Sequence, residues 1–426
     1  MRIRFRHLWP LAVLFCFVAA LNGQGQYFRV QERSGVWWFI DPSGHPMISI
    51  GVDQISYTPD RIRGTQIDPY EQNVARIYSN ENRWAVASLA RLRAWGFNTI
   101  GAWSDSDVWK RGVPYTVILD IAAQAGANWQ KGVPVDVYDP KFEREAQEIT
   151  QRMCAPRAHD PNLIGYFSDN ELRWGPDWRG PQTMLAMYLA LPSAAPGRKQ
   201  AINFLKAKYA GSIDALNHAW NTHAANFNHL PFQAGTATYQ ADSTEFLHQM
   251  AERYFEVCAR AIHAADPNHL YLGARFSLPA QDPAIAAGHL ADVVSINIYR
   301  FDPRPIVEHV YALTHKPVLI TEFAFRAENS GLPNTQGAGP KVPDQAARAR
   351  AYQNYVTWLE SLPEAVGYHW FKWCDEPRQG RFDGENSNYG LVNINDQPYK
   401  SFIEAVRAAN HEAVEAHEAL MKTRKR

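Results

Sequence analysis

Eight short apolar stretches separated by longer amphipathic ones limit what this chain can fold into more than any other feature. They read MISIGV (47–52), FNTIGAW (97–103), YTVILDI (115–121), NLIGYF (162–167), LYLGARF (270–276), DVVSINIY (292–299), PVLITEF (317–323) and VGYHWFKW (366–373). Near-continuous apolar runs of this length are what strands show when both of their faces are covered. Helical spacing occupies the intervals at 84–95, 142–154, 246–265, 306–314 and 345–362, and a closing helix is expected from about Tyr399 to Ala409. Strand and helix in alternation build a parallel sheet under a layer of helices. Eight such units ended by a helix predict an α/β fold of the closed (β/α)8 (TIM) barrel type. An open doubly wound sheet also alternates, but it rarely reaches eight repeats and needs a switch point.

The 426 residues are 46% apolar and 20% charged, enough for a core of that size. Ahead of the first barrel strand, YFRVQERSGVWWFIDPSGHP alternates apolar and polar residues around two turn signals, Ser34-Gly35 and Ser43-Gly44. This predicts a short β-meander over 24–46. Earlier still, Arg2, Arg4 and Arg6 precede an apolar run from Leu8 to Leu21 that ends among small residues, the pattern of a cleavable export leader over 1–23. A secreted or periplasmic protein is expected, with no membrane attachment after cleavage, since no later segment approaches the ~20 apolar residues of a span. Forty-three basic and 43 acidic residues cancel, and no Lys/Arg stripe tracks a phosphate backbone, so nucleic acid is not an expected ligand. Cys154, Cys258 and Cys374 remain beyond the leader, an odd number that favours buried free thiols over a disulfide framework.

The barrel is assigned to 47–410. Within it, the stretch from Pro176 to Asp242 is too long for a plain strand-to-helix connection. It contains RKQAINFLKAKYAGSIDALNHAWNTH, a helix broken at Gly211 and resumed with Ser212 as N-cap, and is expected to project over the barrel mouth as an elaborated loop after strand four. Residues 411–426 read as a polar helical tail. No sequence feature sets an oligomeric state.

Barrels of this kind carry their chemistry at the C-terminal ends of the strands, so those ends are the place to search. Strand one delivers Asp53 and Gln54, strand two Trp103, Ser104 and Asp105, strand three Asp120, and strand four Asp169, Asn170 and Glu171. Strand five delivers Arg275, strand six Asn297 and Tyr299, strand seven Glu322, and strand eight Trp370, Lys372 and Trp373. Glu171 and Glu322 each follow an apolar strand at once. Glycoside cleavage needs such a pair, one carboxyl protonated to release the leaving oxygen and one ionised to attack or to activate water. The Asn-Glu dipeptide is no argument by itself, because Asn80-Glu81 repeats it in a polar loop. Position on strands four and seven is the argument.

Tyr299 could donate its hydroxyl to an ionised Glu322, and Asn170 could bond a sugar hydroxyl beside the reacting carbon. Trp370, Trp103 and Trp373 are candidate platforms for a sugar ring, with core packing the competing role for the last two. Arg275 is expected to pair with a carboxylate and orient it. Asp53, Gln54 and Lys372 complete the candidate binding set. Asp375, Glu376, Asp383 and Glu385, clustered after strand eight, suit a loop lining the cleft better than a calcium site. The sequence has no HExxH, CxxC, GxSxG, P-loop or GxGxxG opening a helix, so no metal and no cofactor are expected.

SDNEL after strand four, ITEF at strand seven and a Trp-bearing strand eight resemble glycoside hydrolase clan A. The resemblance implies a retaining (β/α)8 enzyme with Glu171 as acid/base beside Asn170, Glu322 as nucleophile contacted by Tyr299, and Trp370 as the strand-eight tryptophan. Within the clan, GFNTIGAWSD, IGYFSDNELRWG, KYAGSIDALNHAW and GYHWFKWCDEP followed by NYGLV look most like the β-agarases of family 50, over roughly Tyr27 to Ala409. A galactose-containing polysaccharide or its oligosaccharides is the substrate this implies. The third of these stretches is also similar to the clan's β-galactosidases. Those agarases typically carry an additional N-terminal carbohydrate-binding-like domain, whereas here the meander leads almost directly into the barrel. A β-galactosidase or β-glucanase with the same pair, and a non-catalytic carbohydrate-binding barrel, are the competing readings.

Overall fold

The computed structural model describes residues 26–230, 235–359 and 361–424; the leader read at 1–23 lies outside them. Ser34 and Gly35 both take left-handed backbone (φ 55° and 75°), the conformation a two-residue hairpin turn needs. Strand β1 (Arg29–Arg33) therefore folds back on β2 (Val36–Ile40), which pairs in turn with β3 (Pro46–Met47) in an antiparallel sheet.

The eight apolar stretches all supply strands of one parallel sheet. These are β4 (Ser49–Val52), β5 (Thr99–Ile100), β6 (Tyr115–Ile118), β7 (Leu163–Phe167), β8 (Leu270–Tyr271), β9 (Val294–Asn297), β10 (Val318–Phe323) and, after a minor pair formed by β11 (Arg326–Ala327) and β12 (Lys341–Val342), β13 (Ala365–Trp370). Neighbours run β8-β7-β6-β5-β4-β13-β10-β9. The two ends meet where Phe276, just past β8, bridges Ile296 of β9, its N–H reaching Ser295 O at 3.0 Å while its carbonyl takes the Asn297 N–H at 2.7 Å. The sheet is a closed (β/α)8 barrel.

Helices cover the barrel: α1 (Pro69–Tyr78), α2 (Glu81–Ala94), α3 (Ser106–Trp109), α4 (Ile121–Ala125), α5 (Pro140–Met153), α6 (Met184–Leu189), α7 (Pro196–Lys208), α8 (Ile213–Trp220), α9 (Ala237–Ala265), α10 (Asp282–Ala287), α11 (Arg304–Thr314), α12 (Gln345–Leu359) and α13 (Lys400–Arg424). Local chemistry starts many of them. Asp68 caps α1 with Pro69 following, Asp139 caps α5 with Pro140 following, and Ser212 accepts the Ala215 N–H at the start of α8. Asn80 accepts the Arg83 N–H and Glu81 sits in the positive first turn of α2, so the second Asn-Glu pair is a helix cap. In α5 the buried residues Phe142, Ala146, Ile149 and Thr150 form one helical stripe.

Two expectations change. Helices α6 to α8 pack on the flank, with Tyr188 and Phe204 against Phe246 of α9 and Trp220 against Tyr239, so among the described residues of the long loop after β7 it is the first part that reaches the mouth. The tail is no separate piece: α13 runs through 411 unbroken and is anchored by His417, whose Nε2 meets Trp37 O at 3.0 Å and whose ring packs edge-on against Trp38.

Inside the barrel a small core of Ile164, Phe167, Leu272, Leu319 and Val366 is joined from below by Phe28 and Phe39 of the meander. The meander is thus a floor, tied by Trp37 N–H to Pro363 O just before β13. A plugged lower end leaves the C-terminal mouth as the open face. Cys154, Cys258 and Cys374 are buried free thiols. Among the described residues, no helix is long and apolar enough to cross a membrane.

Candidate active site

Among the described residues, five of the twelve non-glycine residues with positive φ stand at the ends of the first five barrel strands: Gln54 (53°), Trp103 (57°), Asp120 (55°), Glu171 (48°) and Arg275 (46°). Left-handed backbone is unfavourable for side chains of this bulk, and such residues cost of order 1–3 kcal/mol each, so their concentration on one rim marks a site that the rest of the fold holds in place. Each turn ends a strand abruptly and throws the next side chain inward. Four of the five line an open cleft of about 490 Å³ at the mouth, together with Asn170, Tyr299, Glu322 and Phe371. A second lobe of about 550 Å³ shares Trp129, Glu171, Tyr299 and Glu385 with the first and continues past Trp178 and Arg300. Trp178 (64% exposed) and Phe382 (62%) are the large aromatics left open to solvent on the two lobes.

Glu322 and Glu171 face this cleft from β10 and from the end of β7. Tyr299 donates its hydroxyl to Glu322 Oε2 at 2.6 Å, and Arg275 Nη2 stands 3.0 Å from Glu322 Oε1. The same guanidinium nitrogen meets Asp53 Oδ2 at 2.7 Å and Thr321 O at 2.9 Å, while its plane lies over Trp103 at 4.2 Å. Asp53 is fixed in turn by the Ala102 N–H, 2.9 Å from its Oδ1. Glu171 has a different partner. Asn297 Nδ2 donates to Glu171 Oε1 at 3.0 Å and to Asn170 Oδ1 at 3.3 Å, and the Thr321 hydroxyl donates to Asn297 Oδ1 at 2.7 Å, which fixes the amide's orientation.

Burial raises the pKa of both carboxyls. Glu322 is pushed up to about 8, with Arg275 opposing the rise and the charge of Glu171 adding to it; Glu171 is also raised, with the Asn297 bond and Arg275 opposing. Both carboxyls therefore titrate above the ordinary carboxyl range, and the charge of Glu171 couples into the titration of Glu322. Glu322, with a guanidinium and a tyrosine hydroxyl, is the better-stabilised anion. Glu171 has one neutral amide donor, Asn297 Nδ2, on Oε1, a weaker support for an anion than a guanidinium.

The chain is similar to β-agarases. Beta-agarase A of Vibrio sp. (strain JT0107) is 29% identical over 450 residues, covering 89% of this chain and 45% of that protein. Beta-agarase B of the same strain is 28% identical, covering 92% and 48%. A solved exo-β-agarase superposes with a TM-score of 0.81 at 26% identity over 93% of this chain and 66% of its own. This chain therefore spans about half the length of the curated β-agarases it matches. No family model matches the sequence.

Several sequence expectations about the mouth need correction. Trp370 is fully buried on the outside of the barrel wall, against Phe323, Tyr352 and Phe402, with its indole N–H on Tyr389 O at 2.9 Å, and cannot carry a sugar. Phe371 lines the cleft in its place, because successive strand residues face opposite sides and a one-residue offset exchanges wall for mouth. Trp373 stacks on Trp95 and bonds Tyr70 in the core. Lys372 is buried between Asp60 and Gln54, and Asp53 and Arg275 stand behind Glu322, so all three support the cleft without lining it. Gln54, Trp103, Asn170 and Tyr299 line it. In the loop after β13, Arg381 gathers Glu376, Asp383 and Glu385, whereas Asp375 turns away to Asn388 and the Gly390 N–H. Trp129, Trp178, Phe382 and Asn297 were given no role by sequence; Trp129 and Phe382 lie off the strands, where no period marks them.

Gly101 guards this arrangement. A Cβ there would stand 2.0 Å from Asp53 Oδ1 and 2.8 Å from Val52 O. Gly101→Ala is expected to destabilise the fold by about 1–3 kcal/mol and to lower activity by displacing the Asp53 to Arg275 to Glu322 chain, measured by urea denaturation alongside kinetics.

Proposed function

We propose that this chain is an exported, retaining β-glycosidase of the clan A type that cuts a galactose-containing polysaccharide or its oligosaccharides in β-agarase fashion. The observation that carries the proposal is a pair of buried carboxyls on one cleft with unequal support, Glu322 beside a guanidinium and a tyrosine hydroxyl and Glu171 beside one neutral amide. The likeness to β-agarases supports the substrate class. The leader read at 1–23 supports export.

In the first step Glu171 Oε2 gives its proton to the glycosidic oxygen while Glu322 attacks the anomeric carbon, breaking the C–O bond and forming a glycosyl ester. Tyr299 and Arg275 keep Glu322 ionised until it attacks. Asn170 is placed to bond the hydroxyl next to the reacting carbon. In the second step Glu171, now ionised, takes a proton from water, the water oxygen bonds the anomeric carbon, and Glu322 leaves as a carboxylate. Two inversions restore the starting configuration.

Agarose, porphyran, β-glucans and aryl galactosides form the deciding panel, with proton NMR of the first product anomer. Cleavage of agarose or its oligosaccharides with retention is expected. Activity confined to aryl galactosides sinks the agarase reading, and an inverted first anomer sinks the nucleophile assignment.

The coupled carboxyls predict the pH profile. Below the pair's first ionisation both carboxyls are protonated and no nucleophile exists; above its second both are ionised and no acid exists. A bell-shaped kcat/KM is expected, with both limbs displaced upward from ordinary carboxyl values because burial raises both groups. Glu171→Gln, assayed with a glycoside whose leaving group needs no protonation, is expected to lose that limb.

A further inference from the structure

Of the three cleft carboxylates that the mechanism leaves unused, Asp169 is held by the Ala122 N–H and Glu385 by Arg381, and Asp120 is the third. It follows β6 and is the N-cap residue of α4, where an aspartate ordinarily turns its side chain back onto the first free N–H groups of the helix. Here it does not: no side-chain capping bond forms, and Asp120 takes left-handed backbone (φ 55°, ψ 43°). The capping work is done by another residue. Asp169 of the β7 end reaches across and accepts the Ala122 N–H at 2.9 Å and 3.0 Å on its two oxygens. Backbone bonds on either side, Leu119 N–H to Phe167 O and Ile121 N–H to Ser168 O, pin the chain while Asp120 turns out. Its carboxylate faces the cleft with no hydrogen-bond or ion-pair partner among the described residues.

Which sugar it faces follows from the lobes. Asp120, Trp103 and Glu322 line the first lobe and are absent from the second, whereas Glu171 lines both. The ring whose anomeric carbon Glu322 attacks therefore lies on the Asp120 side, and the leaving portion on the Trp178 side. A carboxylate offers acceptors only, and a sugar ring offers hydroxyl donors.

Resting on the glycosidase reading above, we propose that Asp120 is a specificity-determining residue that accepts hydroxyl hydrogen bonds from the sugar on the glycone side of the scissile bond. Burial raises its pKa, as it would for a carboxylate that gains its partners only when substrate arrives, while Arg275 opposes the rise.

Asp120→Gly is the clean deletion, because glycine accepts the left-handed backbone without strain. The variant is expected to lose about 10- to 100-fold in kcat/KM on agaro-oligosaccharides, the range for a hydrogen bond to a charged group, with a melting temperature equal to or above wild type. In a Glu322→Ala background the same change should weaken calorimetric binding of agaro-oligosaccharides by a similar factor. A change under twofold in both overturns this role and leaves the glycosidase reading standing. A loss accompanied by a melting temperature several degrees lower makes Asp120 a structural residue and overturns it as well. A wild-type protein inert toward agaro-oligosaccharides overturns the substrate reading and this proposal together.

Discussion

Glu322→Ala is expected to lower turnover by roughly 10⁵-fold or more, the scale on which enzymes lose rate when their nucleophile is deleted. The alanine removes the group that forms the glycosyl ester but leaves Glu171 and its Asn297 support untouched. Azide can then enter the vacated space, attack the anomeric carbon directly and release the leaving group with help from Glu171. One displacement inverts, so the product is a glycosyl azide of the α configuration. Glu171→Ala gives the opposite signature: the ester still forms from substrates with good leaving groups, azide displaces it, and the azide retains the β configuration. Product NMR on the two variants assigns the roles separately. A Glu322→Ala protein that hydrolyses as fast as wild type would falsify the assignment.

Arg275→Met is expected to cost about 3–5 kcal/mol of stability and at least about 10²-fold in kcat/KM. The guanidinium is fully buried and answers two buried carboxylates, Asp53 and Glu322. Methionine fills much of the volume but leaves both anions uncompensated. Since Arg275 is the largest force lowering the pKa of Glu322, its loss lets that carboxyl rise further and hold its proton at neutral pH, so the nucleophile is scarce as well as misplaced. Arg275→Lys should rescue only in part: an ammonium can approach the three oxygens that Nη2 alone serves, but it lacks the planar guanidinium that stands over the Trp103 ring. Equilibrium denaturation and steady-state kinetics on both variants test this. A methionine variant as stable and active as wild type would remove Arg275 from the site's support.

The barrel was legible because its strands are covered on both faces and read as apolar runs bounded by polar ends. Strand ends named Glu171 and Glu322 for the same reason: a carboxylate directly after such a run has few places to go but the mouth. Strand eight was misread at Trp370 because residues 368–374 are all buried, leaving no polar alternation to reveal which side each one faces. The left-handed rim was invisible at Gln54, Trp103 and Arg275, since those residue types give no hint of that conformation; Asp120 alone belongs to a type that tolerates it. The Asp53 to Arg275 pairing joins residues 222 apart in sequence, and the Asn297 to Glu171 bond joins residues 126 apart. Contacts of that separation come from closing the barrel, which local pattern does not encode. Helix α1 was passed over, although Asp68-Pro69 is a readable start.

The floor of the barrel has a consequence for the order in which the chain can be completed. Trp37 and Trp38 are made early, yet their partner His417 lies 380 and 379 residues later on α13. Asn410 of the same helix takes hydrogen bonds from Tyr352 and Tyr368 and donates one to Trp95 O, so three widely spaced parts of the wall also wait for it. During synthesis the eight strands emerge before the piece that latches them. Until α13 docks and brings Phe402 onto Tyr352, the meander's tryptophans and the helical layer around Tyr352 stand without their last cover. A stop between the end of β13 and Lys400 thus yields a chain with both proposed catalytic carboxylates and no means of sealing its base, a state prone to self-association instead of slow activity.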